Sequence, residues 1–106
     1  MSVITEDRLP VAEGDVVAEK YRVGRILGMG GMAVVVAARH ETLKQNVALK
    51  IMLPSMVSRP GAVDRFLREG RAVAQLKSHH VCRVLDVGIL PTGEPYLVME
   101  YLDGHD

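Results

Sequence analysis

At 106 residues with 48% hydrophobic content, the chain has room for one small domain with a core and is too apolar for disorder. Thirteen basic and thirteen acidic residues cancel, so no overall field recruits nucleic acid or an anionic membrane. The single cysteine, Cys82, excludes an internal disulfide, and the longest apolar run, Met32 to Ala38, falls far short of the ~20 residues of a membrane helix. Together these features favour a reducing cytoplasm, with no nucleic-acid partner and no membrane segment.

Residues 1–15 lack apolar periodicity and contain Pro10 and Gly14, which predicts a flexible leader ahead of one domain over 16–106. Met1 to Pro10 carries Glu6, Asp7 and Arg8 and has no apolar stretch, so no signal peptide is expected there. Alternation over Tyr21 to Leu27 predicts a strand, and Val34 to Ala38, rich in β-branched residues, predicts a second. His40 to Asn46 is polar and reads as a hairpin loop. Val47 to Met52 is a third strand, with Val47, Leu49 and Ile51 on one face and Ala48, Lys50 and Met52 on the other.

Pro54 to Pro60 interrupts that pattern. Ser58 as a cap and Pro60 in a first turn predict a helix from about residue 60 to 77. Its apolar stripe is Ala62, Phe66, Val73 and Leu76, with Glu69 at the middle and Arg65, Arg68 and Arg71 on the wet face. Val84 to Leu90 is a fourth strand, Pro91 to Glu94 a turn, and Tyr96 to Leu102 a fifth strand.

Leu27-Gly28-Met29-Gly30-Gly31-Met32-Ala33-Val34-Val35 precedes Val47-Ala48-Leu49-Lys50. A glycine-rich loop ahead of a lone lysine in an apolar strand is a way to hold nucleotide phosphates, through close backbone N–H groups and a point charge. The strand after the glycines argues against a dinucleotide fold, and the missing Gly-Lys-Ser/Thr ending against a P-loop. A tight turn needing positive φ is the plain alternative. Lys50 reads either as an exposed lysine on a half-wet face or as a phosphate contact. Its neighbour on that face, Ala48, is small enough to leave room for a flat ring. Glu69, if the helix phase is right, needs a cation, and Lys50 is the candidate; a phase shifted by one residue leaves Glu69 solvated.

With these residues in this order, the chain resembles the N-terminal lobe of a bacterial Hanks-type serine/threonine protein kinase. The resemblance rests on Gly28-x-Gly30-x-x-Ala33-x-Val35, V-A-L-K at 47–50, Glu69 in R-E-G and V-M-E-Y at 98–101, and runs from about Asp15 to Asp106. It implies an α+β fold of five antiparallel strands and one main helix, with ATP under the glycine flap formed by Gly28, Met29, Gly30, Gly31, Met32 and Ala33. It further implies that Lys50 meets the α- and β-phosphates with Glu69 as its helix partner. Leu27, Val35 and Ala48 would sandwich the adenine. Met99 would be the gatekeeper, and the backbone of Glu100 and Leu102 would address the adenine edge.

Ala33 stands where a third glycine is usual, and Ser78-His79-His80-Val81-Cys82 departs from the usual approach to the fourth strand. The family's catalytic loop and metal-binding triplet would lie beyond Asp106. Asp86-Val87-Gly88 precedes the hinge and His105-Asp106 lacks the spacing, so neither substitutes for them. No metal site is expected in this chain: Mg²⁺ would come with the C-lobe. His79, His80 and Cys82 lack a fourth ligand and read as loop and core. Arg65, Arg68 and Arg71 read as a solvated face, and the six methionines as core filler. The expected partners are ATP, the chain's own C-lobe and protein substrates. Losing ~400 Å² of apolar interlobe burial forfeits about 10 kcal/mol as an upper estimate, so an isolated lobe is expected to be marginal, sticky or dimeric, with weak self-association such as a homodimer. The alternative reading is a non-catalytic module that senses nucleotide or binds a protein partner.

Overall fold

The computed structural model describes residues 9–75 and 83–101. Its elements are β1 (Val16–Val17), β2 (Tyr21–Met29), β3 (Ala33–His40), β4 (Gln45–Met52), α1 (Pro54–Val57), α2 (Ala62–Gln75), β5 (Val84–Ile89) and β6 (Pro95–Glu100). The strands form one antiparallel sheet in the order β1-β2-β3-β4-β6-β5. The α+β class holds, with six strands rather than five because the two-residue β1 pairs with Val16 opposite Arg22.

β1 and the end of β5 are the two sheet edges. Both nevertheless border one cleft of about 660 Å³, lined by Val16, Val17, Ile89 and Tyr96 among others. The sheet is therefore curled. Its concave face holds the larger core, with Val34, Leu49 and Ile51 fully buried beside Val23, Val36, Val47, Tyr96 and Val98. The other face carries a second cluster of Ala33, Met52 and Leu97 under Phe66 of α2. Burying apolar side chains on both faces makes Val47 to Met52 an almost continuous apolar run, broken outward only at Lys50.

The leader expected over 1–15 is fastened over its described part. The Gly14 N–H donates to the Val23 carbonyl at 2.8 Å, the Val23 N–H returns to Asp15, and the Ala12 N–H meets the Asp15 carboxylate at 2.9 Å. Val11 packs against the concave core. Residues 1–8 lie outside the described residues.

The break after β4 is a helical turn with Pro54 at its first position, where a missing N–H costs nothing. Ser58 closes that turn instead of opening the next helix. Gly61, at φ +77°, then reverses the chain, so α2 starts at Ala62, two residues later than the sequence suggests. The predicted helix end at Lys77, residues 78–82, and Leu102 with the rest of the fifth strand's predicted end lie outside the described residues. Gly93, at φ +108°, forms the predicted turn, and the Leu90 N–H closes it onto the Glu94 carbonyl at 2.9 Å.

The phase of α2 differs from the sequence reading. Its sheet-facing residues are Ala62, Val63, Phe66, Leu67 and Gly70. That rotates the apolar face by about a quarter of a turn away from Glu69, which is exposed, as are Arg65, Arg68 and Arg71.

Candidate functional site

In an antiparallel ladder, residues directly opposite each other share a face. Gly28 pairs with Val35, Val35 with Lys50, Lys50 with Leu97, and Leu97 with Val87. A parallel row runs from Ala37 to Ala48, Met99 and Val84. Both rows lie on the face that α2 covers, since Leu97 clusters with Phe66 and both Met99 and Val84 pack against that cluster. The register thus gathers Gly28, Val35, Ala48, Lys50 and Met99, separated by up to 71 positions, onto one surface.

Each position has a distinct environment. Ala48 is buried at 5% exposure between Ala37 and Met99, and Val35 and Met99 are half-buried. Lys50 is exposed at the centre of its row. Leu27 is the extra residue of a bulge between Ile26 and Gly28, a feature that re-aims a side chain and increases twist at the flap's base. Ala33, beyond the flap tip, is buried at 8% and its carbonyl accepts from the Gly30 N–H at 2.9 Å. The Leu53 N–H donates to the Met32 carbonyl at 2.8 Å, tying the tip to the end of β4. Met29 and Met32 are exposed at 52% and 40%.

The flap glycines separate the two readings of the loop. None of Gly28, Gly30 and Gly31 has a positive φ, and a Cβ added at any of them meets nothing within 4 Å. The fold itself therefore does not require glycine at these three positions. The tight-turn explanation is overturned, and the lack of side chains leaves the backbone open to a ligand.

Lys50 and Glu69 are not joined. Among the described residues the salt bridge is Arg22 with Glu41, and both Lys50 and Glu69 face solvent. The sequence pattern puts Glu69 in the middle of the buried stripe; the helix phase set by Phe66 and Gly70 places it at the margin. The Glu100 N–H is engaged by the Arg83 carbonyl at 2.8 Å. Among the described residues no group of three or more His, Cys, Asp or Glu is gathered for a metal, and no helix is long and apolar enough to cross a membrane. Asp86, in the Asp-Val-Gly triplet, accepts from the Val87 N–H at 2.9 Å and sits in β5 opposite Val98.

Two contacts had no clear signal in the strand pattern. The Arg25 guanidinium reaches the Tyr101 hydroxyl at 3.4 Å, linking the base of the flap to the segment after β6. Gly70 packs directly on Leu97. A glycine inside a helical pattern was the one available clue to that close approach.

Known proteins share this fold. The protein kinase domain profile matches residues 21–106. The serine/threonine-protein kinase pkn3 of Myxococcus xanthus is 38% identical over 93 residues, 88% of this chain and 17% of that protein. The kinase PknB of Mycobacterium tuberculosis is 39% identical over 90 residues, 82% of this chain and 14% of that protein. The crystal structure of the Mycobacterium tuberculosis PknI kinase domain superimposes with a TM-score of 0.69 at 32% identity, over 91% of this chain and 38% of that one. The chain therefore spans a small part of the relatives it matches. With its curled sheet, its long helix α2 and its glycine flap one strand from a lysine, it belongs to the protein kinase domain family and corresponds to the N-terminal region of that domain.

Proposed function

We propose that this lobe binds ATP on the α2-side face of its sheet, as the nucleotide-holding half of a serine/threonine kinase that transfers the γ-phosphate to protein hydroxyls. The observation that carries the reading is the row from Gly28 through Val35 to Lys50, with a glycine flap whose Cβ positions are open. Backbone N–H groups of a glycine loop suit phosphate oxygens, and an exposed ammonium one strand away adds a point charge.

In this reading Val35 and Ala48 cover one side of the adenine, with Leu27 at its edge and Met99 behind it. The engaged N–H of Glu100 leaves its carbonyl as the group for a nucleobase amine. Leu102 is proposed to add the next backbone contact. Lys50 meets the α- and β-phosphates, and Glu69 swings in from the edge of α2 to hold it. Mg²⁺ ligands and the general base are proposed to come from a C-lobe, because Asp86 is committed to its own strand. A cytoplasmic setting suits such chemistry. Ile26, Met29, Leu85, Val87 and Ile89 are exposed apolar residues, which supports contact with a C-lobe or, without one, weak self-association.

The test is Lys50→Met in the full-length polypeptide that carries this sequence, read by ATP calorimetry and phosphate transfer to a protein substrate. Both should fall by orders of magnitude. Unchanged transfer would remove Lys50 from the site.

A further inference from the structure

We propose that Gly70 is a positioning residue that sets how closely α2 approaches the lysine row, and thereby whether Glu69 can reach Lys50 once nucleotide phosphates are bound. The inference rests on the nucleotide reading above. Gly70 is buried inside a fourteen-residue helix, where glycine is a poor helix former. A Cβ there would lie 2.6 Å from Leu97 Cδ2, 3.0 Å from Cδ1 and 3.4 Å from Cγ. Leu97 is the residue directly opposite Lys50 across β4 and β6. The helix therefore touches the sheet at the lysine's own cross-strand neighbour, and the residue just before the contact is Glu69.

Leu97 has little freedom to yield. It is 6% exposed and clustered with Ala33, Met52 and Phe66. Phe66, one turn earlier, pins α2 to the same cluster. With Phe66 fixed, a side chain at position 70 tilts the later half of the helix off the sheet and carries Glu69 with it. Beyond the Phe66 anchor, the approach of the helix is limited where a position without a side chain meets a packed leucine, so it is tunable from either partner.

The experiment compares wild type, Gly70→Ala, Gly70→Ala with Leu97→Val, Leu97→Val alone and Lys50→Met in the full-length polypeptide. ATP affinity is measured by calorimetry, and Lys50–Glu69 proximity by carbodiimide amide crosslinking with ATP present, located by peptide mass spectrometry. Gly70→Ala should weaken ATP by about tenfold, the equivalent of ~1.4 kcal/mol, and lose the crosslink. Leu97→Val removes the two Cδ atoms and should restore both. Leu97→Val alone should bind as wild type. If Gly70→Ala does not fold, Leu97→Phe fills the same space from the sheet side and should give the same losses.

A Gly70→Ala protein that melts earlier but keeps wild-type affinity and crosslink has lost only packing, which overturns the proposal. So does failure of Leu97→Val to restore a loss. In either case binding that still vanishes in Lys50→Met leaves the nucleotide reading standing. If wild type and Lys50→Met bind ATP alike, that reading falls and this proposal with it.

Discussion

Tyr96 lies across Gly88, its partner in the β5–β6 ladder. A Cβ at Gly88 would fall 2.9 Å from Cε2 of the ring and closer still to Cζ and the hydroxyl. Tyr96 is 7% exposed and contributes to the concave core beside Tyr21 and Leu90. The ring lies where a side chain at 88 would go, so it seals the concave face at the sheet's edge. Gly88→Ala should cost roughly 1–3 kcal/mol, the range of overpacking, measured by urea unfolding. Adding Tyr96→Ala should recover little, because it exchanges overlap for a cavity.

Tyr21 and Tyr96 also give the fold a limit at high pH. Burial, and then the nearby Asp86 charge, push both phenols above their ordinary value. A raised phenol keeps its proton longer when folded than when unfolded. Their contribution is thus complete below the ordinary tyrosine value of about 10 and is lost as pH climbs through the folded value. Stability should fall steeply above that point. In a Tyr101→Phe background, which isolates Tyr21 and Tyr96, tyrosinate absorbance should rise at a higher pH in the folded protein than in the urea-unfolded chain. Asp86→Asn should bring both titrations down only slightly, since burial is the larger cause.

Arg22 and Glu41 make the opposite case at low pH. The hydrogen bond from the Arg22 guanidinium, ahead of its charge, holds the Glu41 carboxyl below the ordinary carboxylate range. This stabilisation is present above that range and disappears as pH falls through the folded value. Both partners are half exposed, so salt should weaken the effect. Arg22 also donates to the Gly14 carbonyl at 2.9 Å. Arg22→Ala should move the Glu41 titration, followed by NMR, upward toward the ordinary carboxylate value. It should also speed amide exchange at Gly14, whose N–H is paired with Val23.

Strand periodicity carried most of the fold because period two survives partial burial. Val47, Leu49 and Ile51 do share the concave face, and Ala48, Lys50 and Met52 the other. The pairing of Gly28, Val35 and Lys50 was not legible, because register is set by the bulge at Leu27 and by turn lengths. The phase of α2 was misread because Gly70 contributes no apolar side chain. A stripe counted from side chains overlooks a contact made by backbone, and Glu69 was assigned to its place. The Lys50–Glu69 pair inferred from that phase is open in the structure. Family membership rests on the whole curled sheet and on the relatives instead. The fastening of residues 9–15 was invisible because it is made of backbone and Asp15, not apolar spacing.

Ala48 gives a direct probe of the nucleobase slot. It is buried between Ala37 and Met99 on the α2 side, where the family reading places the adenine. Ala48→Leu should fill that slot while keeping a strand-compatible apolar residue. ATP affinity is expected to drop by about tenfold or more, since filled space excludes the ring that supplies most of the apolar burial. Far-ultraviolet circular dichroism should remain that of the wild type. Unaltered affinity would move the base elsewhere.

The flap glycines offer the sharpest separation of fold from function. Ordinarily a buried or left-handed glycine is needed by the fold, and replacing it lowers stability. Gly30 is neither: its φ is not positive, and a Cβ meets nothing within 4 Å. Gly30→Ala should therefore leave the melting temperature unchanged or raise it. Restricting the unfolded chain at a compatible site stabilises by roughly 0.4–1 kcal/mol. The same methyl group stands on the loop where the proposed site brings phosphate oxygens to the backbone, so nucleotide affinity should fall. Gly61→Ala, at φ +77°, is the control with the reverse pattern, losing stability but not intrinsic affinity. A Gly30→Ala protein that melts lower and binds ATP normally would show that the loop serves the fold rather than a ligand.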